Sequence, residues 1–191
     1  HFAHYLAGGP DIDCDGKPDP WFSNPFDTFW FNPNPNWGNS GGTANDDPSL
    51  DLDDTDGAGP ENLNLADPEG TAAKTAYYHV GVHYWNDHGF GASQATVNVY
   101  IFGVLAVQID KVEMDVLDMW YVGKINWPNK ITDKAAANVV PVEICYQNGD
   151  PCKGGKRWVP KGDWCITKCY SNPAFTATQS GANPANCSTA P

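Results

Sequence analysis

Basic residues are scarce in this chain and nearly missing from its first part. Eleven Lys and Arg stand against 23 Asp and Glu in 191 residues, and residues 1 to 70 hold fourteen acids against the single Lys17. A phosphate backbone would be repelled by such a surface, so no nucleic-acid partner is expected, whereas a divalent cation would relieve the self-repulsion directly. No apolar run is long enough to cross a bilayer, and neither a signal peptide nor a lipidation pattern is visible, so membrane insertion is not expected. Zinc is disfavoured as well, because no Cys-x-x-Cys occurs and the segment after residue 140 has no histidine. No nucleophile motif accompanies His83 or His88, and carboxylates committed to an ion are poor proton shuttles; the chain is not expected to be an enzyme.

What is abundant points to strands and turns. Gly and Pro together number 35 and aromatic residues make up 13%, with eight Trp, a composition that favours short strands joined by turns over long helices. Period-2 alternation is plain from Lys74 onward: Tyr78, Val80, Val82 and Tyr84 alternate with Tyr77, His79, Gly81, His83 and Trp85. Ala95, Val97, Val99 and Ile101 form a second such run, Phe102-Gly103 supplies a turn, and Leu105, Val107 and Ile109 return as its hairpin partner. Met119 to Trp127 reads as another strand, ended by Pro128, and earlier candidates are Phe2 to Leu6, Thr28 to Phe31, Leu50 to Asp53 and Asn62 to Leu65. Residues 7 to 27 and 32 to 70 otherwise read as long loops rich in Gly, Pro, Asn and Asp, which need something to order them.

The cysteines divide the chain. Cys145, Cys152, Cys165, Cys169 and Cys187 fall in the last 47 residues and Cys14 stands apart, so full pairing requires a bridge from Cys14 to the tail. That density indicates an oxidising, extracellular compartment. The expected organisation is a β-sandwich domain over residues 1–128, a linker over 129–140 with a marginal helix after Asp133, and a disulfide-stapled extension over 141–191. The opening His1-Phe2-Ala3-His4-Tyr5 already reads as strand, which predicts a processed or truncated start.

Two loops carry the acidity. Asp11, Asp13, Asp15 and Asp19 occupy positions 1, 3, 5 and 9 of a calcium loop, with Gly16 at the bend and the Lys17 carbonyl at position 7. Position 12, where an EF-hand carries Glu, is Phe22, so a closing ligand has to come from elsewhere, with Asp27 the candidate. The second cluster places Asp51, Asp53, Asp54, Asp56 and Glu61 within eleven residues, next to Asn62, and begins inside a strand. Calcium is the cofactor expected at both.

The strings Asn32-Pro-Asn-Pro-Asn-Trp37-Gly38, Asp47-Pro-Ser-Leu-Asp-Leu-Asp-Asp-Thr-Asp-Gly57 with Gly59-Pro-Glu-Asn62, and Gly81-Val-His-Tyr-Trp-Asn-Asp-His-Gly89 resemble a family of bacterial secreted domains labelled YfaP-like. The resemblance extends over about residues 1–128, through the Val97 to Val107 hairpin to Ile125-Asn126-Trp127-Pro128, and leaves the tail outside. It implies an extracellular β-sandwich, usually one module of a larger surface protein, with no established catalytic activity. Family members commonly carry Asp-x-Asp-Leu-His in the first strand, with His1 at that histidine; the residues around Ala72 to Ala76 are extra here, and a Cys that relatives often have near Trp30 is missing.

The expectation is therefore an all-β, calcium-stabilised antiparallel β-sandwich, jelly-roll-like, acting in adhesion, matrix or filament assembly, with strand pairing between subunits at its incomplete first edge. Two rivals remain. A carbohydrate-binding module would stack sugars on indoles such as Trp21, Trp30 and Trp37, although most aromatics around the first loop (Trp21, Phe22, Phe26, Phe29, Trp30, Phe31, Trp37) are expected to be buried plugs. A copper monooxygenase would use His1 in a histidine brace, but His79 and His83 share one strand face as core or surface residues would. Asn186-Cys187-Ser188 matches a glycosylation acceptor, a pattern common by chance at a cysteine better explained by a bridge.

Overall fold

The computed structural model describes residues 2–3, 21–22, 27–36, 47–54, 59–66, 68, 76–127, 140, 142–144, 152–153, 164–168 and 170. Those residues form an all-β, β-sandwich-like fold with every strand pair antiparallel and no helix. The strands are β1 (Phe2–Ala3), β2 (Pro48–Leu52), β3 (Asn62–Leu65), β4 (Ala76–His83), β5 (Ser93–Ile101), β6 (Val104–Met114), β7 (Met119–Trp127), β8 (Val142–Ile144), β9 (Cys152–Lys153) and β10 (Cys165–Thr167). The main sheet runs β1-β4-β7-β8-β9 with β10 also on β7, and β2-β3 and β5-β6 form separate two-stranded sheets.

The period-2 patterns explain the layering. Tyr78, Val80, Val82 and Tyr84 turn from β4 toward one side, where Trp120, Val122, Ile125 and Trp127 of β7 meet Val99, Ile101, Val107, Ile109, Val112 and Met114 of the β5-β6 hairpin. On the opposite side Met119 and Tyr121 of β7 pack with Trp21, Phe22, Phe29, Cys165 and Tyr170. β7 is buried on both faces, as its run Met-Trp-Tyr-Val with barely a polar residue requires.

Two bulges hold these faces in register. Val80 opposes Gly123 while Gly81 opposes Tyr121, leaving Val122 as the extra residue. The inward parity of β7 therefore changes from even (Trp120, Val122) to odd (Ile125, Trp127). Gly123 carries this with φ of 150°, and a Cβ there would clash with the Glu143 carbonyl oxygen of β8. In β6 the same device acts at Asp110 and Lys111: Ala95 pairs with Val112 and Val97 with Ile109, so the core set continues from Val107 and Ile109 to Val112 and Met114. Lys111 takes φ of 58° at this bulge, and its N–H donates to Thr96 Oγ1 at 3.3 Å.

Residues 164–168 and Tyr170 are joined to the sandwich closely. Trp164 packs edge-on against Trp120 with ring centres 5.6 Å apart. The Tyr170 N–H donates to the Leu117 carbonyl at 2.7 Å, and Lys168 Nζ reaches Asp118 at 2.6 Å and Asp115 at 3.0 Å. Asp118, 1% exposed, also accepts the Asp115 N–H. Its carboxyl is raised by burial, against the pull of Lys168, while Lys168 is itself raised: burial disfavours its charge, but its bonds to Asp118 and Asp115 outweigh that. β8 and β10 divide the edge of β7 opposite β4, β8 along Gly123 to Ile125 and β10 along Met119 to Tyr121. Three strands of the Cys-rich segment thus lie in the main sheet.

Thr28 to Phe31, expected as a strand, is instead a tight turn closed by an isolated bridge between Phe29 and Asn32. The reason is local. Phe29 and Asn32 bond to each other through both backbone groups, at 3.2 and 2.9 Å, and Asn32 Nδ2 holds the Asp27 carbonyl at 3.0 Å, an arrangement that folds four residues back instead of extending them. The helix expected after Asp133, and the linker apart from buried Val140, lie outside the described residues.

Candidate functional site

The acidic hairpin β2-β3 brings its carboxylates to one end. Leu50 pairs with Leu63 and Leu52 with Asn62, so Asp51 is the bulged residue between them. Its two carboxylate oxygens accept hydrogen bonds from Ser49 Oγ and, at 3.2 Å, from Asn62 Nδ2. Beyond the strand Asp54 accepts the N–H of Gly59 across the loop. Burial raises the Glu61 carboxyl, and the nearby charges of Asp53 and Asp54 raise it further. Asp53, Asp54 and Glu61 therefore gather negative charge at this end of the hairpin, while Asp51 and Asn62 are turned to each other.

Among the described residues no three His, Cys, Asp or Glu side chains converge as a metal-binding group. The patch supplies the charge a cation would need, without a closed ligand set of its own. Asp56 and the whole first loop, with Asp11, Asp13, Cys14, Asp15, Lys17 and Asp19, lie outside the described residues. Asp27, the candidate closing ligand, is buried at 1% exposure.

Of the cysteines, Cys165 is fully buried and disulfide-bonded, and Cys152 lies in β9. Cys145, Cys169 and Cys187 are outside the described residues, as are Trp37, Phe26, His1 and His4.

A wall of aromatic rings covers the second face of the main sheet. Trp21, offered only under the carbohydrate alternative, lies with the expected buried plugs: at 2% exposure it sits over Gly81 and is tilted against Tyr121. Phe22 and Phe29 are likewise plugs, packed edge-on at 5.3 Å. Trp30 and Phe31 are different, with 45% and 52% of their surface exposed. No family model, curated protein or solved structure matches this chain.

The histidines of β4 are held within this wall. His79 Nδ1 lies 2.8 Å from Tyr121 Oη, and His83 Nε2 lies 3.2 Å from the Tyr170 carbonyl. Burial depresses His83 to about 4, although the Tyr170 carbonyl favours its charged form. Tyr170 is pushed up to about 12 by burial, reinforced by the nearby charge of Asp27. His83 and Tyr170 are packing groups, neutral at physiological pH.

Two further features, half-buried Trp85 and exposed Phe90, are not marked by the sequence. Trp85, just past β4, meets Trp30 with ring centres 6.1 Å apart, and only the folded turn reveals that pairing. Phe90 is 90% exposed at the tip of a tight loop, where the Phe90 N–H donates to the Asp87 carbonyl at 2.7 Å and flanking Gly89 and Gly91 adopt positive φ. Those glycines were a legible signal for the turn, but not for the exposure of its phenylalanine.

Proposed function

We propose that this chain is a non-catalytic, extracellular, calcium-stabilised β-sandwich module, jelly-roll-like, that serves surface adhesion or the assembly of a matrix or filament. The observation that carries the reading is the crowding of Asp53, Asp54 and Glu61 at one end of the β2-β3 hairpin, where burial and like charge leave Glu61 reluctant to ionise. A calcium ion seated there, completed by neighbouring loop oxygens such as those of Asp56, would remove that repulsion and hold the hairpin closed. The near EF-hand spacing of Asp11, Asp13, Asp15, Lys17 and Asp19 supports a second ion.

An extracellular setting is supported by the disulfide at Cys165, since such bonds persist in oxidising compartments, and by the resemblance to secreted YfaP-like domains. For assembly the relevant feature is the outer edge of β4. Among the described residues, Phe2 and Ala3 pair there with Val80 and His79, two of the eight residues in β4. A strand donated by another copy or by a larger surface protein would extend along the same edge.

Calcium titration followed by thermal melting tests the reading. Stabilisation by calcium, absent with excess chelator, is expected; a melting temperature identical in both sinks it. Sedimentation across a concentration series tests assembly, and a monomer at every concentration, with and without calcium, counts against pairing between copies.

A further inference from the structure

A tight turn ordinarily carries Gly, Asn, Asp or Pro at its centre, because those residues suit its backbone and tolerate water. The turn from Phe29 to Asn32 carries Trp30 and Phe31 there, both about half exposed, while Phe29 beside them is 1% exposed. Burying them in the aromatic wall is the alternative the chain does not adopt.

The two rings are braced. Phe31 stacks on buried Phe29 at 6.4 Å and 30°, and Trp30 contacts Phe31 at 5.7 Å and Trp85 at 6.1 Å. Trp85 in turn rests edge-on against His83 at 6.1 Å. Backbone bonds close the turn, and the Leu50 N–H donates to the Pro33 carbonyl at 2.8 Å, tying the segment after the turn to β2. A ledge of aromatic rings held this way loses little freedom when a ligand arrives.

The chain next to the ledge supplies polar groups without charge. Asn34 and Asn36 are exposed and alternate with Pro33 and Pro35, of which Pro35 is buried, so the segment is stiff and its amides face water. Residues 28 to 36 contain no ionisable side chain, in a chain of net charge -12 whose first 70 residues hold fourteen acids. Aromatic faces beside neutral amide donors and acceptors are complementary to a ring that is apolar on its faces and hydroxylated at its rim.

We propose that Trp30, Phe31 and Trp85, with Asn34 and Asn36, form a binding site for a neutral polysaccharide, its sugar rings stacked on the ledge and its hydroxyls bonded by the amides. The proposal is independent of the calcium reading, since none of these five side chains belongs to the acidic loops. The charge of the remaining surface disfavours acidic glycans, which sets the ligand class.

Native gel electrophoresis in hydroxyethylcellulose, galactomannan, laminarin or dextran, with calcium and with chelator, tests it on the full chain. Retardation by at least one polysaccharide is expected. It should weaken by about tenfold or more in W30A/F31A and several-fold in N34A/N36A, and persist in Tyr100→Ala, which removes an exposed aromatic from the β5-β6 hairpin. Thermal melts check folding, and W30A alone serves as the readout if the double variant does not fold. Wild-type mobility unchanged by all four polymers overturns the proposal, as does retardation that W30A leaves intact. A self-association detected by sedimentation and lost in W30A, without any polysaccharide retardation, also overturns it and assigns the ledge to contact between copies.

Discussion

Trp21 packs its indole against Gly81: a Cβ added to Gly81 would sit 2.6 Å from the indole Cη2 and 2.6 Å from Met119 Cε. The glycine is what lets a loop aromatic reach the sheet, and the hydrophobic cluster on that face is built around the contact. Gly81→Ala is therefore expected to destabilise by about 1–3 kcal/mol through overpacking, with the emission of buried tryptophan shifted to the red. Urea melts followed by fluorescence measure both, and unchanged stability would show that Trp21 moves aside without cost.

Gly123 should be less forgiving. Its φ of 150° disfavours any side chain, and its neighbour is the backbone of β8, which cannot swing away as the end of a methionine can. Gly123→Ala is expected to cost more than Gly81→Ala, about 3 kcal/mol or above, by adding strain to collision. Because the bulge also sets which residues of β7 face the core, loss of near-ultraviolet circular dichroism should accompany it.

His83 makes stability depend on acid. In the folded chain burial holds it at about 4, against an ordinary value of 6.5. The unfolded chain therefore binds a proton between pH 6.5 and 4 that the folded chain refuses. The contribution of this group to stability is complete above pH 6.5 and declines as the pH falls toward 4, by up to about 3 kcal/mol. His83→Gln should flatten that slope in denaturant melts taken across the window; an identical slope would place its origin in other groups.

The acidic hairpin gives the opposite sign. Glu61 is raised by burial and by Asp53 and Asp54, so without a cation its ionisation becomes a destabilising load as the pH rises through and above the ordinary carboxylate range. Calcium should reverse this, stabilising by about 2.7 kcal/mol when present at a hundred times its dissociation constant. Asp53→Asn/Asp54→Asn is expected to abolish most of the calcium response while raising stability in chelator. Differential scanning calorimetry under the two conditions separates these effects, and a double variant that responds to calcium as the wild type does would place the ion elsewhere.

Alternation made several elements legible from sequence. Tyr78 to Tyr84 point as their pattern says, and Met119 to Trp127 is a strand with the same bounds, because a long run next to proline leaves little latitude. The hairpin from Ala95 to Ile109 was also readable, but its continuation to Met114 was hidden by the bulge at Asp110 and Lys111, which shifts the apolar set by one residue. β8, β9 and β10 are only two or three residues long, too short for any period to register, and their place in the main sheet depends on pairing with β7 and β8. For the candidate sites, sequence named Trp21, Trp30 and Trp37 alike. What separates exposed Trp30 from buried Trp21 is the absence of a side chain at Gly81 and the reversal at Asn32, two long- or medium-range facts that composition does not carry.

β7 is hydrogen-bonded on one edge to β4 and on the other to β8 and β10, and covered by apolar side chains above and below. A strand enclosed on four sides can meet no partner, and almost every change in it is paid for in folding. The consequence is a division of labour: the interior of the sheet serves stability alone, while the turn at Trp30, the tip at Phe90 and the acidic hairpin can change their residues without disturbing it.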